Sequence, residues 1–440
     1  MTRKILITLC VVITFRAGLF AQNGALQLTI QEAERYAVEH NLSMASASLD
    51  VKKAEATKWY AISTMLPQVN GILDYTNYLG YEMTMSIPVG IDPTTGQPVK
   101  ADMKIPMKTT SNLTIQASIA VSGVQIVSAT LGKLAKEMAQ TNYQKTEQNI
   151  KSQVRSVYFS ILAMEKIVEL LNQNMENMQK LEKIAQESVT VGVSEQTDAD
   201  QISVQVSSLQ NNINSTQRSI EVLYNSLRLL LGTSVDTKIT LTETIDEILN
   251  IENTTKLLNE NFLLTNNLDY QLTDMSVNMT KKQVRINEWA YGPTLSAYYQ
   301  YKKKIQISDF DMNPPQVVGV TLNIPIFSSG SRLAKVNEAK CTYKSALNSM
   351  EMLTDQLKIQ DRQLRYDLRS SMENYETQRK NIDVSQRVFT NVSNKYEHGY
   401  ASSMDVTNSS MNLLNAQSNY IQAMLNLINS KIALEKLLNK

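Results

Sequence analysis

Two periods organise this chain, and the first is two. Val69, Gly71, Leu73 and Tyr75 alternate with Asn70, Ile72, Asp74 and Thr76. Leu113, Ile115, Ala117, Ile119 and Val121 interleave with Thr114, Gln116, Ser118, Ala120 and Ser122. Apolar residues face one side and small polar residues the other. That pattern fits a half-buried strand, or a barrel strand with lipid outside and water inside. It predicts strands over about 68–79 and 111–122, parted by a loop rich in Pro, Gly, Thr and Met from about Leu79 to Thr110. The second half repeats the pattern. Leu295, Ala297, Tyr299 and Tyr301 alternate with Thr294, Ser296, Tyr298 and Gln300; Val318, Val320, Leu322, Ile324 and Ile326 alternate with Val317, Gly319, Thr321 and Asn323. Strands are predicted at about 294–302 and 316–326, with Lys302-Lys303-Lys304 and Pro314-Pro315 in the shorter loop between them. Pro325 suggests a bend into the next helix.

The second period is seven. Over about 124–191, one row holds Ile150, Val157, Met164, Leu171 and Met178, and another Val154, Ile161, Val168 and Met175. These are coiled-coil core rows and predict left-handed supercoiling. At a rise of about 1.5 Å per residue such a helix approaches about 100 Å, longer than an ordinary domain core. A return helix over about 195–231 carries Ile202, Leu209, Leu223 and Leu230 beside Val206, Ile213, Ile220 and Leu227. Helices over about 328–398 (Leu368, Tyr375, Ile382, Phe389, Tyr396) and 402–438 (Val406, Leu413, Tyr420, Leu427, Leu434) repeat the plan. A shorter helix precedes each strand pair. The first runs from Leu28 to Met65, with Thr29 as N-cap and Glu32 three residues on, and Pro67 ends it. The second runs to about Trp289, where Gly292-Pro293 ends it; Asn266-Asn267-Leu268 echoes Asn41-Leu42. The repeats are thus 22–232 and 256–440. Residues 233–255 form a linker that includes a short candidate strand at Lys238-Ile239-Thr240-Leu241.

Each long helical pair is interrupted by the same device. Gly192 is followed by Asp198, and Gly399 by Asp405 at the same spacing, with small polar residues between. Glycine takes a positive φ at no steric cost and ends a helix. Ser402 or Ser403 can cap the next one, and an Asp in its first turn suits the helix dipole.

Composition adds an address. The chain has 440 residues, 42% hydrophobic, with a formal net charge of +1, so no basic surface points to nucleic acid. Arg3 and Lys4, then the apolar run Ile5 to Phe15, then Leu19-Phe20-Ala21 read as an export signal over 1–21, cleaved after Ala21. Leu9 is bulky where a lipidation site at Cys10 wants a small residue. The exported chain then keeps one cysteine, Cys341, and no intrachain disulfide. No later segment has the length and apolarity of a membrane helix, so a membrane crossing would use strands.

The order helix, proline, strands, long helical hairpin, written twice behind an export signal, resembles the TolC-type outer-membrane efflux proteins. The resemblance rests on Leu28-Thr29-Ile30-Gln31-Glu32-Ala33 followed by Asn41; on Leu322-Asn323-Ile324-Pro325-Ile326-Phe327-Ser328-Ser329-Gly330; and on Tyr396 through Gly399 to Asp405-Val406. It implies a mainly α fold with a β-barrel part: a homotrimer whose chains each give four strands to one twelve-stranded barrel, above an α-helical tunnel. The linker at 233–255 would be equatorial. The turns at Gly192–Asp198 and Gly399–Asp405 would form a periplasmic tip that meets an adaptor protein, and through it an inner-membrane pump of the RND or ABC class. Asp405 and Tyr396 would line the lumen constriction there. The family's second acidic residue one turn later is Asn408 here, and its basic residue two positions after the glycine is Ala401.

Local readings stand beside these. Asp405 and Asp198 also serve as first-turn carboxylates, and Tyr396 lies in a heptad row. His40 and His398 are surface histidines far apart in sequence, and no Cys, His, Asp or Glu cluster has metal-ligand spacing. Lys302-Lys303-Lys304 would touch lipid headgroups or only water. Tyr75, Tyr78, Tyr81, Tyr291, Tyr298, Tyr299 and Tyr301 would form an interfacial girdle or reflect strand preference. The methionines of the long helices read as core filler. No nucleophile elbow, phosphate loop or catalytic carboxylate pair is present, so neither an enzyme nor a cofactor is expected. The alternative to an exit channel is an exported coiled-coil scaffold or adhesin-like protein without a pore.

Overall fold

The computed structural model describes residues 26–93, 96–245, 251–306 and 314–440; the export signal at 1–21 and Asp246–Leu249 of the linker lie outside them. In chain order the first half gives β1 (Leu26–Leu28), α1 (Ile30–His40), α2 (Leu42–Ser63), β2 (Gln68–Thr76), β3 (Glu82–Ile91), β4 (Pro98–Pro106), β5 (Thr110–Ser122), α3 (Gly123–Thr190), α4 (Gln196–Leu231) and β6 (Ile239–Leu241). The second gives α5 (Ile251–Leu258), a 3-10 turn (Leu264–Asn266), α6 (Leu268–Trp289), β7 (Thr294–Gln306), β8 (Gln316–Asn323), α7 (Ser331–Glu397) and α8 (Ser403–Leu437). The fold is mainly helical with strands, and its plan is duplicated. Each of two compact units draws on both halves: Ala47–Gln144 with Leu268–Gln356, and the described residues up to Ser46 with those of Lys145–Asn267 and Leu357–Lys440.

The first unit holds an antiparallel sheet in the order β2-β5-β7-β8. Its register makes the alternation two-dimensional. Ile115 lies between Gly71 and Tyr301, Ala117 between Val69 and Tyr299, and Ile119 and Val121 face Ala297 and Leu295, which face Val320 and Leu322. Directly opposed residues share a face, so one side is mostly apolar from edge to edge, interrupted by Lys303 opposite Leu113 and Gln316 opposite Tyr301. The other carries Thr114, Gln116, Ser118, Gln300, Ser296 and Thr321. There Gly319 opposes Tyr298, and a Cβ at Gly319 would come within 2.4 Å of the ring.

Two expectations change in this unit. Lys302–Lys304 lie within β7, paired to Thr114, Leu113 and Asn112, and not in a loop. The segment expected to be a loop contains a hairpin, β3 with β4. Its prolines hide the period of two, yet each sits where a missing N–H is tolerated. Pro98 and Pro106 end β4, and Pro88 is at a register shift.

The second unit holds the heptad core. Leu171, Met175, Met178 and Leu181 of α3, Ile202, Leu209 and Ile213 of α4, Phe389 of α7, and Val406 and Leu413 of α8 pack in one buried cluster. The predicted helix over Leu28 to Met65 is broken. Leu26–Leu28 instead pairs in parallel with Ile239–Leu241, and Asn41 separates α1 from α2. The break has a cause that recurs in both halves. The Asn41 side-chain amide donates to the Leu230 carbonyl (2.8 Å), and that of Asn267 donates to the Leu437 carbonyl (3.2 Å). Each buried asparagine thereby satisfies a carbonyl in the last turn of a long helix, which has no partner within that helix. Arg155 of α3 joins Glu34 of α1 to Glu435 of α8.

Candidate functional site

The two glycine turns have the same backbone. Gly192 has φ +76° and Gly399 φ +77°. The Gly192 N–H donates to Val189 O (3.0 Å) and the Val193 N–H to Ser188 O (2.9 Å); the Gly399 N–H donates to Tyr396 O (3.0 Å) and the Tyr400 N–H to Lys395 O (2.7 Å). Each pair is a Schellman closure, which satisfies the last carbonyls of the incoming helix. It requires a left-handed residue at the glycine, and the sequence supplies one in both halves.

The outgoing helices differ. Ser402 caps α8. Its Oγ accepts from the Asp405 N–H (3.2 Å), while the Asp405 carboxylate accepts from the Ser402 N–H (3.0 Å) and O–H (2.7 Å). Glu195 occupies the same place before α4 and makes no side-chain cap. Asp198, the counterpart of Asp405, reaches across instead and accepts from the Ser403 hydroxyl at 2.5 Å. The two turns therefore lie side by side, joined where the Ser403 hydroxyl at the start of α8 meets Asp198 and, at 3.2 Å, the Gln201 side-chain oxygen of α4. Tyr396 is partly buried against the neighbouring core. Burial, and then the nearby Asp198 charge, push its phenol up from its ordinary value. Asp405 is exposed, and both of its bonds to Ser402 use the same carboxylate oxygen, Oδ2.

The Ser402 N–H and O–H hold the Asp405 carboxyl below its ordinary value. A lowered folded value means that the cap's stabilisation is present above the unfolded value and is lost as pH falls through the folded one. Ser402→Ala is expected to raise amide exchange at Asp405 and Val406 to the level of the uncapped first turn of α4. Hydrogen exchange by mass spectrometry reads this directly. In the parent chain the same protection should vanish in acid, below the usual carboxylate range.

Deeper in this unit lies a polar site that the heptad reading passed over. Ser410, fully buried in α8, lies 3.5 Å from Asn174 of α3 and 3.5 Å from Gln205 of α4. Ser410 and the buried Gln417 fall four residues after Val406 and Leu413, in the second heptad row. Their spacing was the signal. The histidines stay apart, His40 against the Tyr36 carbonyl and His398 against that of Asn394. Among the described residues no group of His, Cys, Asp and Glu could hold a metal ion, and no helix is long and apolar enough to cross a membrane.

The model of the outer membrane efflux protein family matches residues 35–233 and 261–440. This chain belongs to that family. The two matched segments correspond to the two halves described above, so the duplication is the family's own. No curated protein matches the chain. Among solved structures it is similar to the outer membrane protein VceC of Vibrio cholerae, at 16% identity over 93% of this chain and 95% of that chain, with a TM-score of 0.72. It is similar also to the CmeC outer membrane channel of Campylobacter jejuni (15%, 93% and 85%, 0.72). A third is the open state of the MtrE outer membrane channel of Neisseria gonorrhoeae (14%, 93% and 88%, 0.73). At such identities the likeness is one of fold.

Proposed function

We propose that this efflux-family protein is a trimeric exit duct. Its strands would cross the outer membrane, and its helices would extend into the periplasm and receive substrates from an inner-membrane pump through an adaptor protein. The observation that carries the reading is the four-stranded sheet, mostly apolar on one face apart from Lys303 and Gln316, whose outer strands β2 and β8 each have one partner strand among the described residues. In lipid an open edge strands backbone N–H and C=O groups without partners, each costing several kcal/mol. Pairing β2 of one copy with β8 of the next removes both edges, and three copies give twelve strands around a polar interior. The joined turns at Gly192–Asp198 and Gly399–Asp405 would dock the adaptor. Three Asp405 carboxylates around a common axis would attract cations and repel one another. The missing acidic partner at Asn408 and the missing basic one at Ala401 leave Asp405 as the charge of that ring.

The test is conductance of the purified protein in a planar bilayer. The parent should form cation-preferring pores. Asp405→Asn keeps a side-chain oxygen for the cap and removes the charge, so it should lower cation preference and weaken block by divalent or trivalent cations. Absence of any pore, together with a monomer in crosslinking, would leave the scaffold reading. Pores with unchanged selectivity would return Asp405 to capping alone.

A further inference from the structure

The β3–β4 hairpin has one face that the duct reading does not use. Met85 is directly opposite Met103, and Met83 is opposite Ile105. Past the end of the ladder the Met107 N–H donates to the Tyr81 carbonyl at 2.9 Å, which continues the register and sets Met107 opposite Tyr81. Residues two apart on a strand, and residues directly opposed, share a face. All four methionines therefore lie on the same side, with Ile87, Ala101 and Ile105. The other side holds Glu82, Thr84, Ser86, Lys100, Asp102 and Lys104, where the Ser86 hydroxyl donates to Asp102 and Lys104 lies 4.0 Å from Glu82. The hairpin's hard ligands are thus on the side away from its sulfurs.

This arrangement is chemically selective. Directly opposed Cβ atoms stand about 4.5–5.5 Å apart and diagonal ones about 7–8 Å, and a methionine side chain adds three rotatable bonds. The thioethers of Met83, Met85 and Met103 can therefore converge on one ion. Met85 and Met103 are 37% and 47% exposed, so the face is open to solvent. Thioethers are soft, neutral ligands that select Cu(I) over divalent ions of harder character. Cysteine, histidine and carboxyl groups must lose a proton before they bind a metal, and thioethers need not.

We propose that Met83, Met85 and Met103, with Met107 at the margin, form a binding site for a soft monovalent cation, Cu(I) or Ag(I). The site does not depend on the duct reading, since the hairpin's register alone places the ligands. Ag(I) is the probe, because it needs no reductant. The exported chain carries Cys341→Ser, so that no thiol competes. Calorimetric titration, with bound silver counted by elemental mass spectrometry, should find one Ag(I) per chain that the variant Met83→Leu/Met85→Leu/Met103→Leu lacks or holds at least tenfold more weakly. Met→Leu nearly conserves volume, so the hairpin should persist. The bound silver should be the same at pH 5 and pH 7.5. A second readout needs no variant: Ag(I) should slow peroxide oxidation of Met85 and Met103 relative to the exposed Met352 and Met404. Equal silver binding by parent and variant, binding that falls at pH 5, or unaltered oxidation of the hairpin methionines would each overturn the site.

Discussion

Ile115→Lys is expected to abolish assembly in the outer membrane, and Gln116→Lys, one residue on, to leave it intact. Both residues lie near the middle of β5, a central strand of the sheet, and they differ in face alone. Ile115 sits in the apolar row between Gly71 and Tyr301; Gln116 sits in the polar row between Asn70 and Gln300. If the apolar face meets lipid, a lysine near mid-depth costs about 2–4 kcal/mol per chain. A trimeric barrel would meet that cost three times. A lysine in the polar row would meet water inside a barrel and cost little. Trimer yield in the outer-membrane fraction, read on gels before and after heating, measures both. Similar yields for the two variants would mean that the sheet does not face lipid. The comparison is sharper than either substitution alone, because position, charge and side-chain length are matched.

The parts of the fold that the sequence made legible are those whose period is local. Alternation from Leu113 to Val121 needs only nine residues to declare a strand, and a heptad row from Ile150 to Met178 declares a coiled coil without reference to any partner. What was not legible depends on residues far away in the chain. Asn41 breaks a helix whose local pattern runs on, because its amide is needed at Leu230, 189 positions later. The β3–β4 hairpin was masked because Pro88, Pro98 and Pro106 are turn signals in isolation, and only the pairing shows that each occupies a tolerated place. The glycine turns divide in the same way. Gly192 and Gly399 are forced by the local closure of the helices before them. That Asp405 folds back on Ser402 while Asp198 crosses to Ser403 depends on the packing of α4 beside α8, which two identical Gly-to-Asp spacings cannot distinguish.

Gly232→Ala should be among the most destabilising single-methyl additions in the helical unit, and Gly192→Ala a mild one, although both glycines end a long helix in the left-handed region. Gly232 has φ +68°, and the Thr233 N–H closes on Arg228 O at 3.0 Å as in the other turns. For any L-residue that conformation costs about 1–2 kcal/mol. Gly192 incurs this term alone, since a Cβ there meets nothing within 4 Å. At Gly232 a Cβ would stand 2.4 Å from the His40 carbonyl oxygen and 2.9 Å from its carbon. Those are backbone atoms at the end of α1, and no rotamer change can move them. Relieving the overlap must push α1 from the end of α4, straining the Asn41 bond to Leu230, at about a further 1–3 kcal/mol. The expected total of about 2–5 kcal/mol is a large share of a typical domain's stability of about 5–15 kcal/mol. Folded yield and melting temperature by circular dichroism should fall far more for Gly232→Ala than for Gly192→Ala. Equal losses would mean that α1 does not close on the end of α4. A mild loss at Gly192 has a consequence of its own: the turn proposed to dock an adaptor is then free to vary in sequence around its glycine, whereas the turn that closes α4 onto α1 is fixed by a backbone contact.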